Sequence, residues 1–500
     1  VRRPPALLSA ALLAALALSP DAASAQEQAP TPAGVGGQNL PNASGGGQAF
    51  ADPSQLLSGQ AGAFIGVGIG KIDGDVYATT LLNTDFSVGP VGVGLGLPLH
   101  LLVRNDASTG TRESKAYSGL VRRRDYDQFE NYLRVVRYLR YGHKRDELYV
   151  LAGQHWGSSI GHGTLVNRYN NTLNLDRAKL GLALDVNTIW FGVETLADSI
   201  VNPALLASRA YVRPLGDMPM FHGWAVGATV AVDRTAPRAL ATATSASGQT
   251  VLQVDGHGAP VVALGEATYA AGIDTEFEVV HNSILSLIPY VDLNRLLGAG
   301  NGLHTGILVD VRIPVPVLDI DLQARLEYRK LQAGYLPEYF DQQYDLARYQ
   351  FALRTSTPAG TVTTYQPKAT AARELHRTGA GAKHGYYGEL AFNFAGLVQV
   401  GGVLQGYEGE NGSSLGLFAT LPRFQTLKLS GYYLRNNFNG FRDAFTLDER
   451  SLLAFAAAYN IAGPLYFRAD FTRQWQLLPN RPKIEAVDRY SVGLALFVSL

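Results

Sequence analysis

The chain contains no cysteine, and among its 500 residues there are only 2 methionines and 4 tryptophans. Without cysteine there is no disulfide framework, no thiol nucleophile and no thiolate metal site. A surplus of charge of either sign is also missing, with 42 basic and 42 acidic side chains. No global field therefore steers nucleic acid toward the molecule, and a nucleic-acid partner is not expected. After residue 25 there is no apolar run approaching the about 20 residues that a transmembrane helix needs. Metal ligation lacks support too. His155 and His162 have no acidic residue or further histidine at ligand spacing, so no metal and no cofactor is expected.

What is present begins with an export pattern. Arg2 and Arg3 precede an apolar stretch of Ala and Leu over residues 6–19, and Ala23-Ser24-Ala25 before Gln26 has the small-x-small form of a signal-peptidase site. The expectation is a signal peptide over residues 1–25, cut between Ala25 and Gln26. Residues 26–62 are rich in Pro, Gly, Gln, Asn and Ser and too poor in apolar side chains to bury a core, and they read as a flexible periplasmic leader.

From residue 63 onward the dominant period is two, the mark of strands with one apolar face. Ile320, Leu322, Ala324, Leu326 and Tyr328 alternate with Asp321, Gln323, Arg325, Glu327 and Arg329. Leu303, Thr305, Ile307, Val309, Val311 and Ile313 interleave with His304, Gly306, Asp310 and Arg312. Leu465, Phe467, Ala469, Phe471 and Trp475 interleave with Tyr466, Arg468, Asp470, Thr472 and Gln474. Such runs are about 10 to 15 residues long, more than a soluble strand needs and enough to cross a bilayer at a tilt. A soluble β-sandwich would show shorter strands with turn signals every 8 to 12 residues or so. The abundance of Gly (54) and Tyr (25) suits pleated surfaces and turns.

Connections supply an independent test, because a transmembrane barrel pairs short turns at one end with long loops at the other. Brief connections fall at Gly89-Pro90, His143 to Asp146, Asp185 to Thr188, Gly216 to Met220, His281 to Ser283, Val315 to Leu318, Ala395-Gly396, Phe424-Gln425 and Gly463-Pro464. Between them lie long polar stretches, including 105–127, 157–172, 235–260, 333–384, 437–448 and 478–488. The sequence thus predicts an all-β fold, a closed antiparallel transmembrane β-barrel over residues 63–500 with about 20 strands (18–22).

The last segment, RYSVGLALFVSL, places Tyr490, Val492, Leu494, Leu496, Val498 and Leu500 on one face, opposite Ser491, Gly493, Ala495 and Ser499. It resembles the C-terminal assembly signal of Gram-negative outer-membrane β-barrel proteins, of the porin-like kind, although these usually end in Phe or Trp where this chain ends in Leu500. The resemblance implies an outer-membrane location, contact with outer-membrane lipid, insertion by the barrel assembly machinery, and periplasmic termini. It implies no particular solute, and no residue pattern marks an oligomer interface.

Turning the apolar positions toward lipid sends charges inward. Residues 129–141, taken as a strand, point Glu130, Arg134 and Arg140 into the lumen, and the next wall adds Arg177 and Lys179. Residues 262–280 send in Glu266, Asp274, Glu276 and Glu278, and neighbours add Asp292, Asp310 and Asp321. With roughly six to eight strands between them, the basic and acidic walls would face each other, and a water-filled lumen would orient small polar solutes in passive diffusion. The competing arrangement is salt-bridged packing, since Arg312, Arg325 and Arg329 sit amid the acidic wall beside Glu327.

The block WGSSIGHGTLVNRYNNT after His155 reads as an ordered surface loop, with inward folding as a constriction the alternative. Ser158 and Ser159 near His162 lack the orienting group of a hydrolase, and no enzymatic activity is expected. The long connection at 333–384, with Tyr335, Tyr339, Tyr344, Tyr349 and Tyr365, is suited to capping a pore or binding an external partner.

Overall fold

The computed structural model describes residues 62–499 apart from 73, 105–120, 145, 219–222, 246–247, 256–258, 316–317, 358–359, 380–382, 396, 409–412, 422–425 and 478–483. The expected signal peptide with its Ala25/Gln26 junction, nearly all of the leader and the terminal Leu500 lie outside the described residues, as do parts of the expected loops at 105–127 and 478–488.

Backbone amides in hydrocarbon have no water to bond, so a sheet that crosses a membrane must pair every strand on both sides. This chain does so with 20 antiparallel strands in one ring. In chain order they are β1 Gly62–Ile72, β2 Asp75–Val88, β3 Val91–Arg104, β4 Val136–Tyr141, β5 Leu148–Gly153, β6 Gly181–Asn187, β7 Phe191–Ala197, β8 Leu205–Val212, β9 Trp224–Asp233 and β10 Thr268–Phe277. The ring continues with β11 Leu285–Leu296, β12 Asn301–Val315, β13 Leu318–Leu331, β14 Lys383–Phe394, β15 Val398–Tyr407, β16 Ser414–Leu421, β17 Leu427–Asn436, β18 Ser451–Ala462, β19 Leu465–Leu477 and β20 Ile484–Ser499. Each strand pairs with its sequence neighbours. The ring closes where β1 meets β20, in an unbroken register from Gly62 opposite Ser499 to Lys71 opposite Tyr490.

That seam is built from small residues on its inner side. A Cβ added to Gly493 would stand 2.2 Å from the Val67 carbonyl oxygen, and one added to Gly68 would stand 2.5 Å from that of Val492. Among the described residues the expected short connections at Gly89-Pro90 and Gly463-Pro464 are tight turns, with left-handed backbone at Gly89, Ala395 and Gly463, whereas the expected connection at Phe424-Gln425 and parts of those at 216–220, 315–318 and 395–396 lie outside the described residues. Helix is confined to the loops at the other end, chiefly α1 (Tyr344–Gln350) and α2 (Lys368–Thr378). No helix among the described residues is long and apolar enough to cross a membrane.

The faces are inverted relative to a soluble protein. Outward positions carry exposed apolar side chains all round the ring, among them Ile65, Val67 and Ile69 on β1, Ile273 on β10, Leu326 on β13, Leu390 on β14, Phe455 on β18 and Val492, Leu494 and Leu496 on β20. Inward positions hold Arg209, Glu276, Asp292, His304 and Arg329, all buried. An apolar band of this extent is stable only against lipid. The closed ring with its apolar outer band makes the protein a transmembrane β-barrel.

Two strand expectations are corrected. Residues 129–141 do not form one strand, because Phe129–Leu133 is a short helix and β4 starts at Val136. The Asn131 amide ties that turn down by donating to the Arg124 carbonyl and the Asp127 carboxylate. Residues 262–280 are also interrupted. Val262–Gly265 pairs with Pro237–Leu240 in an outer-loop hairpin, and the wall strand begins only at Thr268.

The lipid-facing assignment predicts the effect of an outward charge. Leu326 is 55% exposed, so in a soluble protein Leu326→Arg would change stability within about 0.5 kcal/mol. In a bilayer the same change should cost about 2–4 kcal/mol if the position lies near the midplane. Urea unfolding of barrel refolded into lipid vesicles, compared with Leu326→Ala, measures it.

Candidate functional site: a half-filled lumen

The chain between β5 and β6 turns into the barrel instead of lying on its surface. Left-handed backbone at Gly157, Gly161, Gly163 and Arg168 makes the reversals possible, and it carries Ile160, Leu165, Val166 and Tyr169 into a buried apolar cluster. The long connection between β13 and β14 descends against it. Val166 and Phe340 form a parallel bridge, and Glu338 N–H donates to the Thr164 carbonyl at 2.9 Å, Phe340 N–H to that of Leu165 at 3.0 Å. Tyr335, Tyr339, Phe340 and Tyr344 complete the cluster against Leu196, Leu205, Ala231, Ala270, Leu296 and Leu331 of β7, β8, β9, β10, β11 and β13. The surface-loop expectation for the block after His155 is overturned for a simple reason. Ile160, Leu165 and Val166 are too apolar to face water, and the wall offers them a buried place.

Polar ties fasten this fill to the wall. The His162 ring lies between carboxylates of neighbouring strands, with Nδ1 2.8 Å from Asp292 Oδ1 and Nε2 2.7 Å from Glu276 Oε2. It stacks on Tyr290 at 4.1 Å between centroids. Thr164 donates to the second oxygen of Asp292 at 2.6 Å. Carboxylates only accept, so both ring nitrogens carry protons and His162 is an imidazolium. Burial alone would lower its pKa, but Asp292 and Glu276 outweigh that and push it up to about 10. Arg209 is the companion tie, fully buried, reaching Asp274 through Nε (3.1 Å) and Nη2 (2.5 Å), Glu194 at 3.1 Å and Glu276 at 3.3 Å. From the wall strand β13, Arg329 reaches Glu338 of the second segment at 3.0 Å, and it also bonds Glu327 at 2.5 Å and the Tyr407 hydroxyl at 2.6 Å. His162, Asp274 and Asp292 are close enough to share a cation, yet hydrogen bonds and the Arg209 ion pair already engage them.

The expected lumen charges now have definite places. Asp274 and Glu276 face inward and are neutralised by Arg209 and His162. Glu278 is buried, accepting from Ser286 and lying against His281. Asp310 is buried toward the short-turn end of β12, beside the largely exposed Arg312. Arg325 and Glu327 pair with each other. Glu266 is displaced from the wall by the outer hairpin and is 53% exposed, held by Arg373 of α2 at 2.7 Å. Arg177 and Lys179 belong to the infolded segment and not to a strand, Arg177 over the Tyr349 ring and Lys179 against Asp198 at 2.6 Å. Arg134 is likewise off the wall, donating to the carbonyls of Leu175 and, at 2.9 Å, Asp125. Arg140 stays on β4, pointing toward Gly92. Two opposed bare walls are therefore replaced by ion pairs on the filled side.

Across the lumen, where β1, β2, β3, β19 and β20 form the wall, the fill stops short. A cavity of about 250 Å³ remains there, with Gly70, Gly96 and Ser491 as small wall residues and Lys71, Arg134, Arg137, Arg468 and Arg489 as basic lining, against Asp470. Arg137 bonds Asp85 at 2.8 Å, and Arg468 bonds Asp470 at 2.7 Å. Arg137, Arg468 and Arg489 escaped the sequence reading, though strand parity alone put Arg468 on the inward face. Ser158, considered beside His162, is bonded instead to His155 Nδ1 at 2.9 Å. The other ring nitrogen donates to the Ala197 carbonyl at 3.0 Å, and burial holds His155 down at about 4, a weak base at neutral pH.

Because His162 has a raised pKa, its tie is complete below about pH 6.5 and is lost as pH climbs through 10. Proteolysis within residues 154–180 of the membrane-embedded protein should stay at baseline to about pH 9 and rise beyond 10. His162→Leu leaves Glu276 and Asp292 without that partner, at a cost of about 3–5 kcal/mol, and should expose the same segment at neutral pH.

No protein-family model matches the sequence, and no curated protein matches it. Among solved structures it is similar to Pseudomonas aeruginosa OccK11 (OpdR), at 11% identity over 88% of this chain and 97% of that one with a TM-score of 0.29. A BenF-like porin from Pseudomonas fluorescens Pf-5 aligns at 11% identity over 89% and 100%, TM-score 0.31. Wzi, an outer-membrane protein involved in group 1 capsule assembly in Escherichia coli, aligns at 11% over 91% and 89%, TM-score 0.33. With overlays this loose, the functional reading rests on the chain's own residues.

Proposed function

We propose that this barrel is a narrow, selective channel through which small polar solutes, anionic ones above all, diffuse along one side of the lumen. The observation that carries the reading is the asymmetry of the interior. The side formed by β7 to β13 is filled by infolded segments and a buried core, while the side near β1 and β20 keeps a polar cavity in which arginines outnumber acids. A lumen meant only to be closed gains nothing from basic side chains around unfilled space, whereas a path for anions needs them at the constriction. In this reading the field is set on one side of the barrel, and the expected acidic wall is neutralised within the fill. The competing reading is a closed barrel with a surface-binding role, and it draws on the same aromatic core.

Conductance of the refolded full chain in planar bilayers tests it. Small steps with a preference for chloride over potassium are expected, and Arg468→Glu together with Arg489→Glu should shift the selectivity toward cations while the protein still folds, as shown by heat-modifiable migration. Folded protein without conductance would overturn the channel reading and favour the closed barrel.

A further inference from the structure

A second cavity, of about 140 Å³, lies at the loop end between the segment carrying α1 and the inner faces of β15 to β19. Its polar lining includes several amides, and nearly all of them are engaged. Gln343 Oε1 accepts from Asn436 at 2.6 Å, Gln350 Nε2 donates to the Trp475 carbonyl at 2.7 Å, and Gln405 bonds Ser414, Tyr407 and Arg329. Gln474 is the exception. It is 2% exposed, lies on the inward face of β19 beside this cavity, and neither its Oε1 nor its Nε2 has a hydrogen-bond partner. A buried amide with both capacities unmet is costly to hold, and natural interiors seldom keep one without a reason.

The charges around the cavity are largely matched. Lys368 pairs with Asp341 at 2.8 Å, and Arg450 pairs with Asp448 at 2.7 Å and Asp443 at 2.9 Å, while Glu449 is exposed to solvent. No unmatched buried charge awaits an ionic ligand there. The remaining lining is apolar, supplied by Leu336, Leu346, Ala347, Phe351 and Leu452. The ligand that fits has hydroxyls on one edge and C–H groups on its face. Adjacent hydroxyls match an amide in two ways at once, one donating to Oε1 while its neighbour accepts from Nε2. An apolar floor then covers the C–H face of the ring.

We propose that the Gln474 cavity is a binding site for a neutral polyhydroxylated solute of monosaccharide size, held by a vicinal diol on the Gln474 amide. The site rests on the barrel alone and not on conduction along the opposite side. Isothermal titration of the refolded full chain in detergent with D-glucose, D-galactose and D-mannose, with sodium succinate as the charged comparator, tests it. Saturable binding of at least one sugar is expected, weakened at least ten-fold by Gln474→Leu and about three-fold by Gln474→Asn, which keeps the amide but shortens its reach. Absence of saturable heat with all of these sugars, binding of succinate alone, or sugar affinity unchanged in Gln474→Leu would overturn the proposal. Should Gln474→Leu fail to fold, the Asn variant decides, and unchanged affinity there would overturn it equally. The titration needs no open pore, so a silent bilayer recording leaves it intact.

Discussion

A backbone amide left unpaired in hydrocarbon costs several kcal/mol, and the rest of the molecule follows from avoiding that cost. Pairing β1 with β20 removes both sheet edges, which fixes the ring, and the ring fixes which side chains meet lipid and which meet each other. Once outward positions must be apolar, alternation leaves the inward positions to polar residues. A 20-strand ring is too wide for side chains from its walls alone to fill. Space inside has to be occupied by water or by chain, and this protein uses chain on one side.

Filling a polar lumen with protein means satisfying its charges without bulk water. Arg209, His162 and Arg329 do this by reaching several acceptors each, so that carboxylates from different parts of the wall and fill share a cation instead of repelling one another. Buried ion pairs of this kind add little net stability compared with apolar packing, but they are unforgiving of misplacement. The aromatic core of Tyr335, Tyr339, Phe340 and Tyr344 supplies attraction, and the ion network supplies register. Together they hold segments from opposite halves of the sequence in one arrangement.

The barrel was legible because its rules are local. Period two, run length and the alternation of short and long connections each depend on residues within one hairpin, and they located the turns at Gly89-Pro90 and Gly463-Pro464. The infolding was not legible, because its determinants are distant. His162 meets Glu276 and Asp292, separated from it by 114 and 130 positions, so no spacing rule relates them. The signal that existed was compositional, since Ile160, Leu165 and Val166 are poor residues for a surface loop. Arg134 and Glu266 were misplaced because alternation persisted through a helical turn and an outer hairpin, where it no longer reports a wall. Gln474 was assigned correctly to the inner face, but its lack of a partner is a property of the packed loops above it.

The glycines of the closing seam have an effect beyond letting two backbones approach. Gly66, Gly68 and Gly70 on β1 and Gly493 on β20 add no side chains of their own to the inner surface of the wall, and the cavity begins at Gly70 and Ser491. The position of the vacant side of the lumen is thus written into the wall itself, where the first and last strands of the ring meet. Widening or narrowing that passage over evolutionary time requires no rebuilding of the infolded segments. Exchanging one small residue for another along a single strand would resize it, leaving the filled side untouched.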